Sequence, residues 1–365
     1  MTQTPSQQSA VRTEAARLMQ VFEAAGAVPV DASILQPAEV LLDLYGEDIR
    51  ARAYVTSDAL RGEQMLRPDF TVPVVQMHMA HGAEPACYTY AGPVFRRQED
   101  DVARASEYMQ VGFEVFDRSD PAASDARVFA LFHEVLAPLN LRAATGDIGI
   151  LMSAVDGLKT TDRRKAALRR HIWRPVRFRA LLDRFSGQTP VPAARAALLN
   201  DPDPMAAAGP QIGLRSAADV QSRIDVLRED AATPPISGQE VALIDAILNV
   251  RAASSEALEQ LRAIASDLPS IVPAVSRLER RLDALERQGI DITTLDFETQ
   301  YGRTQMEYYD GFVFGFYAEG RDDLPPVASG GRYDALTLQL GGGVEIPAVG
   351  GVIRPELALS LGGAA

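Results

Sequence analysis

The sequence predicts an α+β fold: a sheet flanked by helices and interrupted by a long helical insertion. Two observations carry this. Strand-like alternation is confined to residues 1–151 and 289–365, whereas strand signals nearly vanish over 152–288. There, helical stretches such as 163–173 and 272–287 alternate with joints near Pro190, Pro202 and Pro234. The second observation is the stretch from Leu66 to Asp117, where a strand end, an amphipathic helix and two further strands follow one another closely. The predicted division is therefore a core in two parts, 1–151 and 289–365, around an insertion at 152–288.

The elements follow in order. The first ten residues are polar and are expected to fray. Val11, Ala15, Leu18, Met19 and Phe22 then share one helical face, and Gly26 ends that helix. Pro37 opens a second helix over 38–45, which Gly46 ends. Residues 53–56 and 64–66 read as short strands joined by a turn at 58–62. Arg67-Pro68-Asp69-Phe70-Thr71 leads from a strand end into the amphipathic helix. A strand over 88–96 ends in Arg96 and Arg97, and a charged loop returns the chain through a strand at 108–116.

That last strand is the informative one. Alternation puts Met109, Val111, Phe113 and Val115 on one face, and Gln110, Gly112 and Glu114 on the other. The second face carries an amide and a carboxylate with a glycine between them, and a glycine inside a strand often marks close approach by a ligand or another backbone. Asp69, Arg96, Gln110 and Glu114 are thus candidates to surround a small zwitterion, the acids taking its ammonium and the arginine its carboxylate. Solvent exposure of Gln110 and Glu114 is the plainer alternative.

Downstream, Pro121 begins a helix carrying Val128, Leu131, Phe132, Val135 and Leu136, and 141–151 reads as a strand interrupted by Gly146. Inside the insertion, Arg163, Arg164, Lys165, Arg169, Arg170 and His171 form a basic cluster, read as a solvated helix face ahead of a partner or nucleic-acid surface. Strands resume over 292–299 and 306–317. Residues 329–334 read as a tight turn into a short helix, 347–353 as a final strand and 354–361 as a short helix.

There are 36 basic and 49 acidic side chains, a formal net charge of −13, which argues against general nucleic-acid affinity. One cysteine, Cys87, permits no internal disulfide and fits a reducing cytoplasm. The N-terminus lacks a signal pattern, and no apolar run is long enough to span a bilayer. His78, His81, His133 and His171 do not make a zinc pattern, and there is no P-loop or dinucleotide fingerprint, so no metal or cofactor is expected.

Several stretches together resemble a class II aminoacyl-tRNA synthetase catalytic domain of the histidyl-tRNA synthetase kind. Gly92–Glu99 (GPVFRRQE) with 108–114 (YMQVGFE) is similar to that class's second motif. Residues 67–71 (RPDFT) resemble the family's Arg-Pro-Glu-Gly-Thr segment; 307–314 (EYYDGFVF) and 330–334 (GGRYD) resemble its histidine-specific segments; 347–350 (PAVG) resembles the approach to its third motif. The resemblance implies an antiparallel sheet flanked by helices and a histidine-shaped pocket. In it Asp69, Thr71 and Gln110 face the α-amino group and Arg96 the carboxylate. Glu114, Tyr308 and Tyr309 surround the imidazole, and Gly331 and Tyr333 close the wall. Tyr308 and Tyr309 as ordinary core aromatics is the competing reading.

The departures concern adenylation and tRNA. Thr304 stands where the synthetase has its catalytic arginine, with Arg303 one residue away, on the opposite face if the segment is a strand. Leu357 stands where an arginine would hold the ATP phosphates. Glu99, Asp100 and Asp101 put acids in the loop after Arg96, and no anticodon-binding segment follows within the sequence. Phosphoryl chemistry needs cationic clamps. A pocket retained beside missing cations resembles the paralogous family of ATP phosphoribosyltransferase regulatory subunits, to which 41–48 (LLDLYGED) is also similar. That resemblance implies a non-catalytic, cytoplasmic protein with histidine as ligand. It implies a homodimer within a hetero-oligomer formed with a short-form catalytic subunit, at the first step of histidine biosynthesis. The alternatives are an active adenylating enzyme such as histidyl-tRNA synthetase, or a stand-alone amino-acid sensor.

Overall fold

A computed structural model of the chain describes residues 4–45, 52–98, 105–206, 209–210, 212–303 and 308–362. Twelve strands are described: β1 Val28–Pro29, β2 Leu35–Pro37, β3 Val55–Asp58, β4 Gly62–Leu66, β5 Ala86–Phe95, β6 Glu107–Phe116, β7 Arg142–Asp147, β8 Arg251–Ala253, β9 Asp296–Glu298, β10 Phe312–Tyr317, β11 Ala328–Arg332 and β12 Ala348–Ile353. Nine form one sheet in the order β1-β5-β6-β12-β11-β10-β7-β9-β8; β2, β4 and β3 form a small sheet of their own. Strands β5 to β7 along that order pair antiparallel; β1 joins β5 and β9 joins β7 in parallel. The predicted α+β class holds.

Helices cover one face of the large sheet. The helix Pro5–Ala24 buries Val11, Ala15, Leu18 and Phe22, with the Phe22 ring 5.4 Å from Phe113 on β6. It begins earlier than the sequence suggests. Thr4 and Gln7 form a reciprocal capping box, satisfying N–H groups that would otherwise fray. Gly26, at φ +95°, turns the chain out of that helix, and Ala38–Tyr45 is helical; Gly46 lies outside the described residues. The helix Pro121–Leu136 packs Phe129 and Phe132 against Phe314 of β10.

Four expectations change. Residues 141–151 are a strand only as far as Asp147, and Ile148–Gly157 is helical. Ile148, Gly149, Ile150 and Leu151 are all buried, and a wholly apolar run carries no period to distinguish strand from helix. Residues 292–299 are a strand only over 296–298, because Asp291 Oδ1 accepts bonds from the Thr293 N–H and hydroxyl and fixes a turn first. Within 306–317 the strand starts at Phe312. Residues 329–332 are strand, not turn: their glycines serve close packing, and a Cβ on Gly330 would lie 2.3 Å from the Gly350 carbonyl oxygen.

Among the described residues of 152–288, β8 is the only strand, and the rest are helices and the loops that join them. In the basic cluster, Arg164 is buried rather than solvated. Its Nε donates to Asp230 at 2.7 Å and its Nη1 to the Pro234 carbonyl at 2.9 Å. Arg169 pairs with Asp156, while Arg163 and Arg170 are exposed. The helix Val272–Arg287 packs on Pro121–Leu136, and its Arg281 reaches into the sheet.

Candidate ligand pocket around Glu114

Register assembles the site. Tyr90 lies opposite Gly112 across β5 and β6, Glu114 opposite Gly350 across β6 and β12, and Gly331 opposite Gly350 across β11 and β12. Glu114 is 1% exposed. Its Oε1 accepts the Tyr90 hydroxyl at 2.7 Å and the Thr71 hydroxyl at 3.1 Å, and its Oε2 accepts the Tyr333 hydroxyl at 2.6 Å. The carboxylate lies flat over the neighbouring strand: a Cβ on Gly350 would sit 1.5 Å from Oε2. Glycine at 350 is therefore what gives Glu114 its place.

Gly112 has a different reason from the one its sequence setting suggests. A Cβ there would lie 2.2 Å from Cζ of Tyr90, so the close approach is made by the Tyr90 ring, not by a ligand or a backbone. That ring stacks on Phe70 at 4.4 Å. Phe70 in turn carries the Arg67 guanidinium 3.8 Å above its face. Tyr90 is the residue of this cluster that sequence reasoning missed. The signal was a tyrosine that cross-strand pairing places opposite a glycine, readable only with the register.

Burial pushes the Glu114 carboxyl up to about 7, against the lowering by the Tyr333, Tyr90 and Thr71 hydroxyls; the Asp69 charge adds to the rise. Burial, and then the Glu114 charge, also raise the Tyr90, Tyr309 and Tyr333 phenols, which stay protonated donors. A carboxylate offers about four acceptor positions. Three are filled here, so one more N–H can be taken.

Most of the other predicted residues lie on this side of the sheet, with Gln110 four residues along β6 from Glu114, about 13 Å away. Tyr309 and Tyr308 are buried with ring centroids 4.9 Å apart, and Tyr308 lies 6.1 Å from Tyr333. Gly331 faces the Tyr309 ring, where a Cβ would come within 2.8 Å of Cδ1. Asp69 Oδ1 accepts the Val72 N–H at 3.3 Å at the start of the helix Thr71–His81, and Arg96 Nε donates to the adjoining Pro68 carbonyl at 2.8 Å. The charges of Glu114, Asp69 and Arg96 all reach Tyr309. Gln110, on the Glu114 face of β6, is 1% exposed, and its Oε1 has no hydrogen-bond donor. An orphaned buried acceptor costs about 1–3 kcal/mol, which a ligand N–H would recover. Thr71 donates its hydroxyl hydrogen to Glu114, which leaves the lone pairs of its oxygen as acceptors for an ammonium N–H.

Two arginines near the positions where the synthetase carries cations have protein partners here. Arg303 is buried and donates from Nε to the Ile172 carbonyl at 2.8 Å, inside the helical segment. Leu357 packs against the core, and the Arg354 guanidinium sits 5.1 Å over the Tyr108 ring. Thr304 and the acidic residues Glu99, Asp100 and Asp101 lie outside the described residues.

Solved structures with this fold include one described as an ATP phosphoribosyltransferase regulatory subunit/histidyl-tRNA synthetase from Bacillus halodurans. It is 18% identical with a TM-score of 0.69, covering 99% of this chain and 81% of that one. A histidyl-tRNA synthetase from Nostoc gives a TM-score of 0.64 at 17% identity, covering 100% and 76%. The fold is thus that of a class II synthetase of the histidyl kind. The sequence profile of the histidyl-tRNA synthetase family matches residues 3–201 and 216–357. The ATP phosphoribosyltransferase regulatory subunit of Brucella anthropi is 31% identical over 342 residues, 88% of this chain and 89% of that protein; the one from Brucella canis is 30% identical over 346 residues, with the same shares covered. The chain belongs to the histidyl-tRNA synthetase family, on its ATP phosphoribosyltransferase regulatory-subunit branch.

Proposed function

We propose that this chain is the non-catalytic regulatory subunit of ATP phosphoribosyltransferase. It assembles in the cytoplasm with a short-form catalytic subunit, activates it, and carries feedback by histidine bound at Glu114. The observation that carries this reading is a buried carboxylate with one acceptor position open, beside tyrosine donors and with the undonated Gln110 oxygen farther along β6, while Arg303 is turned away to Ile172. A neutral imidazole needs one acceptor and one donor, and Glu114 and Tyr309 supply them. No nucleic acid, metal or cofactor enters this reading. Homodimerisation uses the small sheet and its neighbour β1, where Val28, Leu35 and Val55 are 57%, 49% and 42% exposed.

The test is the activity of a short-form catalytic subunit from the same organism, with and without this chain. Strong activation that histidine reverses is the expected result. No activation and no co-purification removes the partner; amino-acid-dependent pyrophosphate exchange by the chain alone replaces the proposal with an adenylating enzyme. Within the pocket, Tyr309→Phe is expected to weaken histidine binding about tenfold, the worth of one hydrogen bond at a buried site. Calorimetry on the folded variant checks this, and unchanged affinity removes Tyr309 from the pocket.

A further inference from the structure

We infer that the chain has a second small-molecule site, for an organic monocarboxylate, in the cleft between the helices Pro175–Phe185 and Gly238–Leu248. The cleft is open to solvent and offers about 610 Å³, room for a ligand of metabolite size. Its polar lining is Arg179, Asp245, Asn249, Gln300 and Arg303, and its apolar wall includes Phe178 and Leu248.

Charge selects the ligand. Arg179 is paired with Asp245 and lies 3.8 Å from Asp183. Arg303 has no carboxylate partner among the described residues. It is 2% exposed, its Nη1 reaches Gln300 Oε1 only at 3.5 Å, and its Nη2 has no hydrogen-bond partner. The Phe178 ring lies 5.1 Å from it. Burial, and then the Arg179 charge, push this guanidinium down to about 10, the direction expected of a cation held without a counter-ion. Arg179 is thus matched by Asp245 and Asp183, and the unmatched cation of the cleft lining is Arg303. A carboxylate brings the single negative charge that balances it and matches the planar guanidinium. A phosphate monoester would set its second charge against Asp245. The apolar wall calls for an organic body on that carboxylate.

The cleft is separate from the Glu114 pocket but joined to it. Ile172 accepts from Arg303, and the next residue, Trp173, donates to the Tyr309 carbonyl at 3.1 Å.

Phenylacetate is the probe, titrated calorimetrically into the full chain beside phenylacetamide and phenyl phosphate. The expected result is millimolar or tighter binding of phenylacetate, with both analogues at least tenfold weaker. Arg303→Gln should weaken phenylacetate at least tenfold. Val176, which lines the cleft and is 85% exposed, provides a second variant that disturbs no buried contact, and Val176→Glu should weaken binding by repulsion. Binding persists in saturating histidine if the two sites are distinct. Absent binding, affinity unchanged in Val176→Glu, phenyl phosphate binding as well as phenylacetate, or displacement by histidine each overturns the assignment.

Discussion

Arg281→Met is expected to lower the unfolding free energy by about 3–5 kcal/mol, the range for breaking a buried ion pair from one side. Arg281 is 3% exposed and donates to Asp125 at 2.8 Å and to Asp147 at 2.7 Å. Asp125 also accepts from Arg332 at 2.7 Å, and Arg332 reaches Asp334 at 2.9 Å. Burial by itself lowers the Arg281 pKa. Asp147 and Asp125 outweigh it, so the net direction is up and the charge persists. Removing the guanidinium leaves Asp125 with Arg332 but strips Asp147 of its cation in a site 2% exposed. Urea unfolding of the single variant measures the loss. Arg281→Met combined with Asp147→Leu should recover more than half of it, because the uncompensated charge goes as well. A loss below about 1 kcal/mol, or no recovery in the double variant, would mean that the helix Val272–Arg287 is held to the sheet by its apolar face alone.

That pair also marks the limit of what the sequence reveals. Arg281 and Asp147 are 134 residues apart, and no periodicity links them. The alternation of 108–116 did identify a face with Gln110 and Glu114, because the period of a strand is a local property. It did not reveal that this face is walled in, since the walls come from Tyr90 on β5 and Tyr333 after β11, placed by register. Glycines misled for the same reason. Gly112, Gly330 and Gly350 each make room for a side chain or backbone on a neighbouring strand, and only the pairing says which. The family resemblance supplied the missing pairing in effect. It named Tyr308, Tyr309, Gly331 and Tyr333, which no local pattern would join to Glu114. In the insertion, Arg164 and Leu168 share the buried face of their helix, yet a run of basic residues reads as solvated until Asp230 is seen to lie beneath it.

Histidine affinity is expected to be nearly flat above pH about 7.5 and to fall roughly 40-fold between pH 8 and pH 6. Two protonations produce this. Glu114, at about 7, must be ionised to accept the imidazole N–H; a proton on it removes the acceptor, so affinity is lost as pH falls through 7. Free imidazole protonates near its ordinary value of about 6.5, and the cation has no nitrogen left to accept from Tyr309. The hydroxyls around Glu114 do not add to this window, but Asp310, next to Tyr309 in the chain, is also pushed up to about 7 by burial and titrates within it in wild type and variant alike. The Tyr90, Tyr309 and Tyr333 phenols are pushed up, away from it, and Thr71 does not titrate. Glu114→Gln removes the roughly tenfold share of Glu114 and leaves the ligand's own protonation, about fourfold over the same range, besides any Asp310 share common to both proteins. At pH 8 that variant should also bind about 10- to 100-fold more weakly, since a hydrogen bond to a buried charge is worth about 1.5–3 kcal/mol. Calorimetry in two buffers of different ionisation enthalpy adds an independent readout: near pH 7 the wild type releases on the order of half a proton from Glu114 on binding, and Glu114→Gln does not. An equal pH span in both proteins would show that the imidazole does not meet this carboxylate, and the histidine would then have to be sought at a subunit interface.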